Sequence, residues 1–253
     1  MPKLAFISTN TAEARKASMK LNELYRGVPV DESDIIVALG GDGFMLATLH
    51  ANMNSGRKIY GMNRGSVGFL MNEFKLDSLH ERIAEAAPET IRPLEMTTIN
   101  SAGKAFKAYA INEVSLFRQS YQAAKIEIWV DGQQRLDELI CDGILLATPA
   151  GSTAYNLSAR GPILPLDAPL LALTPVSPFR PRRWQGALLP NTSVVELKIL
   201  EAGKRPVNAV ADHNEVKSVT SVTISQTQNS TVELLFDAEH SWDERILAEQ
   251  FQN

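Results

Sequence analysis

A buried-strand pattern, a turn with three glycines and a helical pattern follow one another directly early in the chain. Residues 34–39 are apolar after Asp34, residues 40–43 read Gly-Gly-Asp-Gly, and an apolar helical pattern extends to about Met53. This order is typical of a parallel sheet covered by helices. The glycines leave backbone N–H groups open to a phosphate, and Asp42 stands where a substrate hydroxyl could give up its proton. The alternative is a tight turn in which Asp42 only caps the helix.

The first ninety or so residues alternate strand and helix patterns. Asn10 is expected to cap the first helix, with Glu13 as its capping-box partner, and Gly27 is expected to end it. This alternation predicts a three-layer α/β domain over residues 1–90. Its predicted strands are residues 4–7, 34–39 and 58–62, and its predicted helices are residues 10–26, 43–53 and 76–87.

The pattern changes near residues 88–93, and beyond them most segments alternate in the manner of strands. Residues 125–130 form a period-two run, and Asp131-Gly132 after it signals a hairpin. We therefore predict a β-rich, sandwich-like domain over residues 91–237, and a helix over residues 242–251 that packs back on other structure. Further strands are predicted at residues 143–147, 194–200, 207–211, 221–225 and 231–236.

Composition argues against several classes of protein. The formal net charge of −4 gives no electrostatic reason to expect nucleic acid as a partner. The single cysteine, Cys141, excludes an intramolecular disulfide and a cysteine-based metal site. The first apolar run is too short for a signal peptide, and no apolar stretch approaches the ~18 residues of a membrane span. We expect a cytoplasmic protein that binds neither nucleic acid nor a membrane.

A second glycine-rich segment, residues 61–70, follows the third predicted strand. Its glycines imply an unusual backbone path, which could form a second wall of the crevice beside the first glycine turn. Phe69 would then cover an aromatic base. A long surface loop with ordinary turns is the alternative.

Asn112 and Glu113 interrupt a strand-like run. Together they offer both donors and acceptors, so the pair could bind sugar hydroxyls and an adenine amino group. In isolation, a solvated strand end explains them somewhat better.

The densest signal lies at residues 141–162, where a buried strand leads into Pro-Ala-Gly-Ser-Thr and a short helical pattern. The hydroxyl of Ser152 or Thr153 and the free N–H groups of the helix start would form a site for an anion or polar ligand. An ordinary capped helix is the alternative, but it does not explain Asp142 among apolar residues. Hydrolase chemistry at Ser152 is disfavoured because no histidine is near in sequence. Cys141 is interpreted as a small buried hydrophobe.

Two smaller features remain. Residues 179–184 place three arginines in four positions, which is usual for a solvated loop but could also contact phosphates. Asp212-His213-Asn214 follows a predicted strand and could add a polar ligand contact, the alternative being a plain turn.

With these motifs in this order, the chain resembles the NAD kinase family. The resemblance rests on residues 40–43, 61–69, 112–113, 142–143 and 148–162, which span nearly the whole chain. The Gly-Gly-Asp-Gly turn is shared with phosphofructokinases and lipid kinases. The Thr-Pro-x-Gly-Ser-Thr-Ala-Tyr segment paired with Asn-Glu is much more specific to NAD kinases.

The resemblance implies transfer of the terminal phosphate of ATP, or of inorganic polyphosphate, to the 2′-hydroxyl of the adenosine ribose of NAD. Asp42 would be the catalytic residue, taking the hydroxyl proton or holding the hydroxyl in line. Asn112 and Glu113 would hold the adenosine ribose and either the nicotinamide-side ribose or the adenine edge, and Asp142 would help to hold the nicotinamide end. The full set of expected contact residues is Gly41, Asp42, Gly43, Phe69, Asn112, Glu113, Asp142, Ser152, Thr153, Ala154, Tyr155, Asn156, Leu157, Ser158, Ser177, His213 and Asn214.

The family further implies Mg²⁺ carried mainly by the nucleotide phosphates, with no metal-ligating residues on the chain. It implies a homodimer or homotetramer, and a C-terminal tail, residues 238–253, that returns to the first domain. Two departures are Arg160, where the family has a small residue, and Asp212-His213-Asn214, where it often has Asp-Gly-Gln. Two rivals remain: a lipid or sugar kinase that shares the glycine turn, and a non-catalytic NAD(H) sensor.

Overall fold

The structure is a computed structural model that describes residues 1–64, 68–238 and 251. The described residues divide into two compact units. The first unit comprises residues 1–91 and the described part of 229–253, and the second comprises residues 92–228. The helix predicted over residues 242–251 lies almost wholly outside the described residues.

Four α-helices and two 3₁₀ turns, at Val30–Glu32 and Ala150–Thr153, are found among the described residues. The helices are α1 (Ala12–Tyr25), α2 (Asp42–Ala51), α3 (Leu79–Glu85) and α4 (Tyr155–Ser158). The strands are β1 (Leu4–Ser8), β2 (Ile35–Gly40), β3 (Lys58–Asn63), β4 (Ala87–Ile91), β5 (Leu94–Asn100), β6 (Ala105–Ala110), β7 (Glu113–Arg118), β8 (Ala124–Val130), β9 (Gln133–Cys141), β10 (Gly143–Ala147), β11 (Leu170–Val176), β12 (Ala187–Pro190), β13 (Val195–Ile199), β14 (Val207–Ala211), β15 (Asn214–Val216), β16 (Val219–Gln226) and β17 (Val232–Phe236).

The first unit contains a five-stranded sheet in the order β1-β2-β3-β17-β4. Neighbours from β1 to β17 run parallel, and β4 pairs antiparallel with β17. The assignment of residues 231–236 to the second domain, and hence a domain boundary at 237, was wrong. Leu234, Leu235 and Phe236 are all buried in succession, as expected for a strand covered on both faces rather than on one.

Helices cover both faces of this sheet. Leu21 of α1 and Ile83 of α3 pack with Tyr60 and Val37 on one face. On the other face α2 lies so close to β3 that a Cβ at Gly61 would come within 2.2 Å of the Met45 methyl group. The predicted three-layer α/β arrangement is therefore confirmed.

Two helix boundaries differ from the predictions. The cap of α1 is Thr11, whose side chain accepts a hydrogen bond from the Ala14 N–H, and its left-handed terminal residue is Arg26, with φ of 50°. Helix α3 is shorter than residues 76–87, and Ala87 begins β4 instead. Pro88 explains this, because a residue that precedes proline is driven from helical to extended backbone.

The second unit contains two six-stranded antiparallel sheets, β12-β11-β10-β7-β14-β15 and β6-β5-β16-β13-β8-β9. Their alternating apolar residues form one core that includes Ile126, Ile144 and Leu197. The hairpin predicted after β8 is present, with Asp131 and Gly132 at φ of 53° and 73°. This architecture confirms the prediction of a β-rich, sandwich-like domain.

Candidate active site

The glycine turn joins β2 to α2 in the first unit. Gly41 is the residue before α2, and its carbonyl accepts hydrogen bonds from the Phe44 and Met45 N–H groups. A Cβ added at Gly41 or Gly43 would meet no atom within 4 Å, so the space beside both residues is open. The start of the ten-residue helix α2 can therefore be approached closely by a phosphate.

The carboxylate of Asp42 binds the second glycine segment. Its Oδ2 accepts a hydrogen bond from Phe69 N–H at 2.8 Å, and its Oδ1 accepts one from Leu70 N–H at 3.0 Å. Gly68 allows this approach, since a Cβ there would lie 2.3 Å from Asp42 Oδ1. The two glycine motifs thus meet within this unit, which favours the second wall over the plain surface loop, although residues 65–67 lie outside the described part.

Arg64, in the second glycine segment, stacks on an aromatic ring. Its guanidinium carbon lies 3.6 Å from the centre of the Phe74 ring. This is cation–π geometry.

In the second unit, Asn112 and Glu113 lie at the start of β7, and one carboxylate binds their backbone. Asp212 accepts hydrogen bonds from the N–H groups of Ile111 at 2.6 Å, Asn112 at 3.0 Å and Glu113 at 3.2 Å. Asp212 itself adopts a left-handed conformation, with φ of 51°, in the turn between β14 and β15.

The side chains of this pair are buried and incompletely bonded. Asn112 Oδ1 and Glu113 Oε2 are shielded from solvent and have no hydrogen-bond partner among the described residues. Burial, reinforced by the negative charge of Asp212, raises the pKa of Glu113 to about 7. Near neutral pH this carboxyl is therefore partly protonated and can donate a hydrogen bond as well as accept one.

The segment that starts at Thr148 packs against the same pair. Thr148 N–H donates to the Asn112 carbonyl at 2.9 Å, and Thr148 Oγ1 donates to the Ile111 carbonyl at 2.6 Å. A Cβ at Gly151 would lie 2.1 Å from the Asn112 carbonyl oxygen, so this position requires glycine. The fold thus brings together the Asn-Glu motif and the Thr-Pro-x-Gly-Ser-Thr segment.

Two predicted contact residues in this segment point inward. Ser152 Oγ donates to the Pro149 carbonyl at 2.6 Å and accepts from Leu164 N–H at 3.0 Å. Asn156 Nδ2 donates to the Pro162 carbonyl at 2.8 Å, and Asn156 Oδ1 accepts from Thr174 Oγ1 at 2.7 Å. Both residues are fully buried, and an internally bonded Ser152 hydroxyl does not suit a surface nucleophile.

The remaining predicted residues of the segment lie nearer the surface. Thr153, Ala154 and Leu157 are half-buried, whereas Tyr155 and Ser158 are exposed. The segment forms a 3₁₀ turn and the four-residue helix α4, in the place where the sequence predicted a turn and a short helix. Gly161 packs directly against the Asn156 side chain, since a Cβ there would come within 2.1 Å of Asn156 Oδ1.

Asp142 follows β9 and pairs with a residue that sequence reasoning missed. Arg118 Nε donates to Asp142 Oδ1 at 2.5 Å, while the Asp142 side chain remains 43% exposed and therefore accessible to a ligand. The neighbouring Cys141 is buried in the core, and that burial raises the pKa of its thiol to about 12. Cys141 is thus the small hydrophobe that the sequence indicated.

The other predicted residues lie on exposed turns. Ser177, with φ of 47°, follows β11. His213 lies with Asp212 in the β14–β15 turn, and Asn214 is the first residue of β15. In the arginine-rich loop, the Arg182 guanidinium lies 5.3 Å from the centre of the Phe179 ring. No signal in the sequence linked Asp212 to Asn112, because about a hundred residues separate them.

No helix among the described residues is long and apolar enough to span a membrane. No group of three or more histidine, cysteine, aspartate or glutamate side chains in the described ranges is arranged to hold a metal ion.

Residues 111–234 match the family model of the ATP-NAD kinase C-terminal domain. The chain is 65% identical over 250 residues to an NAD kinase of Rhizobium meliloti, covering 99% of this chain and 97% of that protein. It is 55% identical over 249 residues to an NAD kinase of Caulobacter vibrioides, covering 98% and 96%. Yeast NADH kinase complexed with NADH superposes with a TM-score of 0.85 at 22% identity, over 100% of this chain and 89% of that chain, a likeness of fold alone.

The matches extend over nearly the whole length of the chain, and the relatives are far more than 30% identical to it. The chain belongs to the NAD kinase family. The protein is therefore an enzyme, and its class is that of the kinases.

Proposed function

We propose that this protein transfers the terminal phosphate of ATP to the 2′-hydroxyl of the adenosine ribose of NAD, which yields NADP. The observation that carries the proposal is the pair of buried oxygens without partners, Asn112 Oδ1 and Glu113 Oε2, in a chain of this family. Buried polar atoms without partners are rare in native proteins. The hydroxyl and amino groups of a nucleoside would satisfy both.

On the acceptor side, Asn112 and Glu113 hold the adenosine of NAD, and Asp142 holds the nicotinamide end. The outward side chains of the neighbouring segment complete this surface, while Ser152 and Asn156 support it from inside through their internal hydrogen bonds. The proposed contact residues beyond these are Thr153, Ala154, Tyr155, Leu157, Ser158, Ser177, His213 and Asn214.

On the phosphoryl-transfer side, Asp42 accepts the proton of the reacting hydroxyl or holds that hydroxyl in line. Each of its oxygens already accepts one backbone N–H, and a carboxylate oxygen has a second lone pair for the substrate. The open backbone at Gly41 and Gly43 and the start of α2 stabilise the transferred charge, and Phe69 covers a base. Alignment and charge neutralisation are most of what phosphoryl transfer demands.

A divalent cation such as Mg²⁺ belongs to this proposal through the nucleotide. The described residues lack a carboxylate and histidine cluster that would hold the ion by themselves. Oxygen ligands from the phosphates suit Mg²⁺, which keeps few protein ligands in such sites. When bound, the ion would neutralise phosphate charge, and no residue here is assigned to it.

The direct test is NADP formation from NAD and ATP, with polyphosphate as an alternative donor in a parallel reaction. We expect NADP with at least one donor and only with a divalent cation present. A sensor would bind NAD and form no product, whereas a lipid or sugar kinase would consume ATP only with its own acceptor. Either outcome would refute the proposal.

Assembly and location complete the proposal. We expect a homodimer or homotetramer, which light scattering of the purified protein would measure, and a monomer at micromolar concentration would contradict this. The single cysteine and the moderate net charge of −4 suit a cytoplasmic enzyme.

A further inference from the structure

Three successive backbone N–H groups, those of Ile111, Asn112 and Glu113, converge on the carboxylate of Asp212. Ile111 and Asn112 connect β6 to β7, and Glu113 is the first residue of β7. Asp212 also donates its own N–H to the Glu113 carbonyl at 3.2 Å. Hydrogen bonds to an ionised acceptor are about twice as strong as neutral ones, so this one side chain fixes the course of the backbone here.

The opposite side of the pair is fixed as well. Thr148 binds the Ile111 and Asn112 carbonyls, and Gly151 packs directly on Asn112. With its backbone held from both sides, the pair cannot easily turn its side chains to solvent. Asn112 Oδ1 and Glu113 Oε2 consequently remain buried without partners.

The negative charge of Asp212 acts on the carboxyl group of Glu113, the residue whose backbone Asp212 also holds. Among the described residues packed around Glu113, Asp212 supplies the negative charge, and His213 follows it in the same turn. The paired residue on β10, Ala147, and the last residue of β14, Ala211, carry no charge. A negative neighbour and burial both favour the neutral form of a carboxyl group.

We propose that Asp212 is a positioning residue for NAD: it orients the Asn112-Glu113 pair through three backbone hydrogen bonds and places a negative charge close to the Glu113 carboxyl group. This inference rests on the proposed function of the pair. Asp212 acts through its neighbours and needs no contact with the substrate. Because a bound nucleoside removes water from Glu113, NAD binds best to the protonated form and binding weakens as pH rises through about 7.

The test is Asp212→Asn, compared with Asp131→Asn as a matched control. Asp131 also has a left-handed backbone in a hairpin turn of the second unit, and it accepts hydrogen bonds from Ser193 Oγ and Val194 N–H. For Asp212→Asn we expect the KM for NAD to rise about 10-fold, the value of a lost charge-assisted hydrogen bond, with kcat within about 2-fold. The midpoint of the pH dependence of KM should move to lower pH. Asp131→Asn should change neither quantity.

If Asp212→Asn unfolds, Glu113→Gln tests the same inference, since glutamine imitates the protonated acid. Its KM for NAD should stay flat between pH 6 and pH 8, where the wild-type KM rises. A wild-type KM that is flat over this range, or an Asp212→Asn enzyme that only loses thermal stability, would overturn the inference. A wild-type protein that forms no NADP would instead count against the proposed function.

Discussion

Asp42 in the first unit and the Asn112-Glu113 pair in the second differ in how their side-chain oxygens are hydrogen-bonded. In the first unit, both oxygens of Asp42 accept backbone hydrogen bonds from the second glycine segment. In the second unit, Glu113 and Asn112 each keep a buried oxygen without a partner. The Asp42 carboxylate is thus bonded within its own unit, whereas the Asn112-Glu113 pair keeps two oxygens that are available to the proposed nucleoside. A substitution at Asp42 should therefore lower both stability and turnover. A substitution at the Asn112-Glu113 pair should weaken NAD binding with little loss of stability.

The largest expected effect is at Asp42. Asp42→Asn should lower turnover by roughly 10²–10⁴, the usual size of an acid–base contribution, while NAD affinity measured by calorimetry persists. The asparagine NH2 group would also face one of the two backbone N–H donors and could not accept its hydrogen bond. This lost hydrogen bond should lower the unfolding free energy by about 1 kcal/mol. The control is Asp34→Asn, since Asp34 accepts a hydrogen bond from Lys3 N–H in the same unit. Near-normal turnover of Asp42→Asn would count decisively against its role as base.

Two asparagines of the second unit test the separability of stability and function. Asn156→Ala removes a fully bonded buried amide and should destabilise the protein by about 2–4 kcal/mol in urea unfolding. Asn112→Ala removes an oxygen that has no partner, so its unfolding free energy should change by less than about 1 kcal/mol. Its KM for NAD should nevertheless rise about 10-fold. Equal destabilisation by the two changes would show that the pair is ordinary structure.

A smaller effect is expected at the Arg118–Asp142 pair. Both side chains are partly exposed, so Arg118→Gln should cost less than about 1 kcal/mol of stability. Asp142 loses the group that orients it, so the KM for NAD should rise by about 3-fold. The free energy of that change is smaller than the net contribution of one ordinary hydrogen bond. Lys58→Gln removes an exposed pair with Glu233 in the first unit and should leave the KM unchanged. Steady-state kinetics at saturating ATP would show whether the two variants differ.

The smallest effect is a gain in stability at Arg160. This residue has φ of 64°, a conformation that suits glycine. Arg160→Gly should raise the unfolding free energy by about 0.5–1 kcal/mol, which corresponds to a rise in melting temperature of about 1–4 °C. The neighbouring Ala159 has φ of −80°, so Ala159→Gly should destabilise instead. Calorimetric melting of both variants measures the difference, and a lower melting temperature for Arg160→Gly would contradict the expectation.

Local patterns predicted most of the elements. The strand pattern before the glycine turn, the period-two run of β8 and the Asp131-Gly132 hairpin each carry their signal within a few residues. Strand β17 was placed in the wrong unit because its sequence reads equally well as an antiparallel strand, and only its partners β3 and β4 decide the matter. Left-handed residues such as Arg26 and Arg160 were also missed, since neither is glycine or asparagine.

The sequence identified the motifs of the candidate site, but it did not predict which distant residues contact them. Asp42, Asn112 and Glu113 were identified by residue type and by the resemblance to a known family. The long-range partners were not, because periodicity carries no information on which turn will meet which strand. Asp212 and Arg118 are the clearest examples, since their roles depend on side-chain contacts across the folded sheet. The inward orientation of Ser152 likewise depends on Leu164, twelve residues further on.

The position of β17 has a consequence for how the chain acquires its structure during synthesis. Strand β4 pairs only with β17 in the described sheet, and β17 is made after the whole of the second unit. A ribosome that has released residues 1–91 has therefore made a sheet that still lacks the strand between β3 and β4. Domains usually fold in the order of their synthesis. Here the second unit can complete its sheets first. The first unit, which contains Asp42, can complete its sheet only after β17 has emerged from the ribosome.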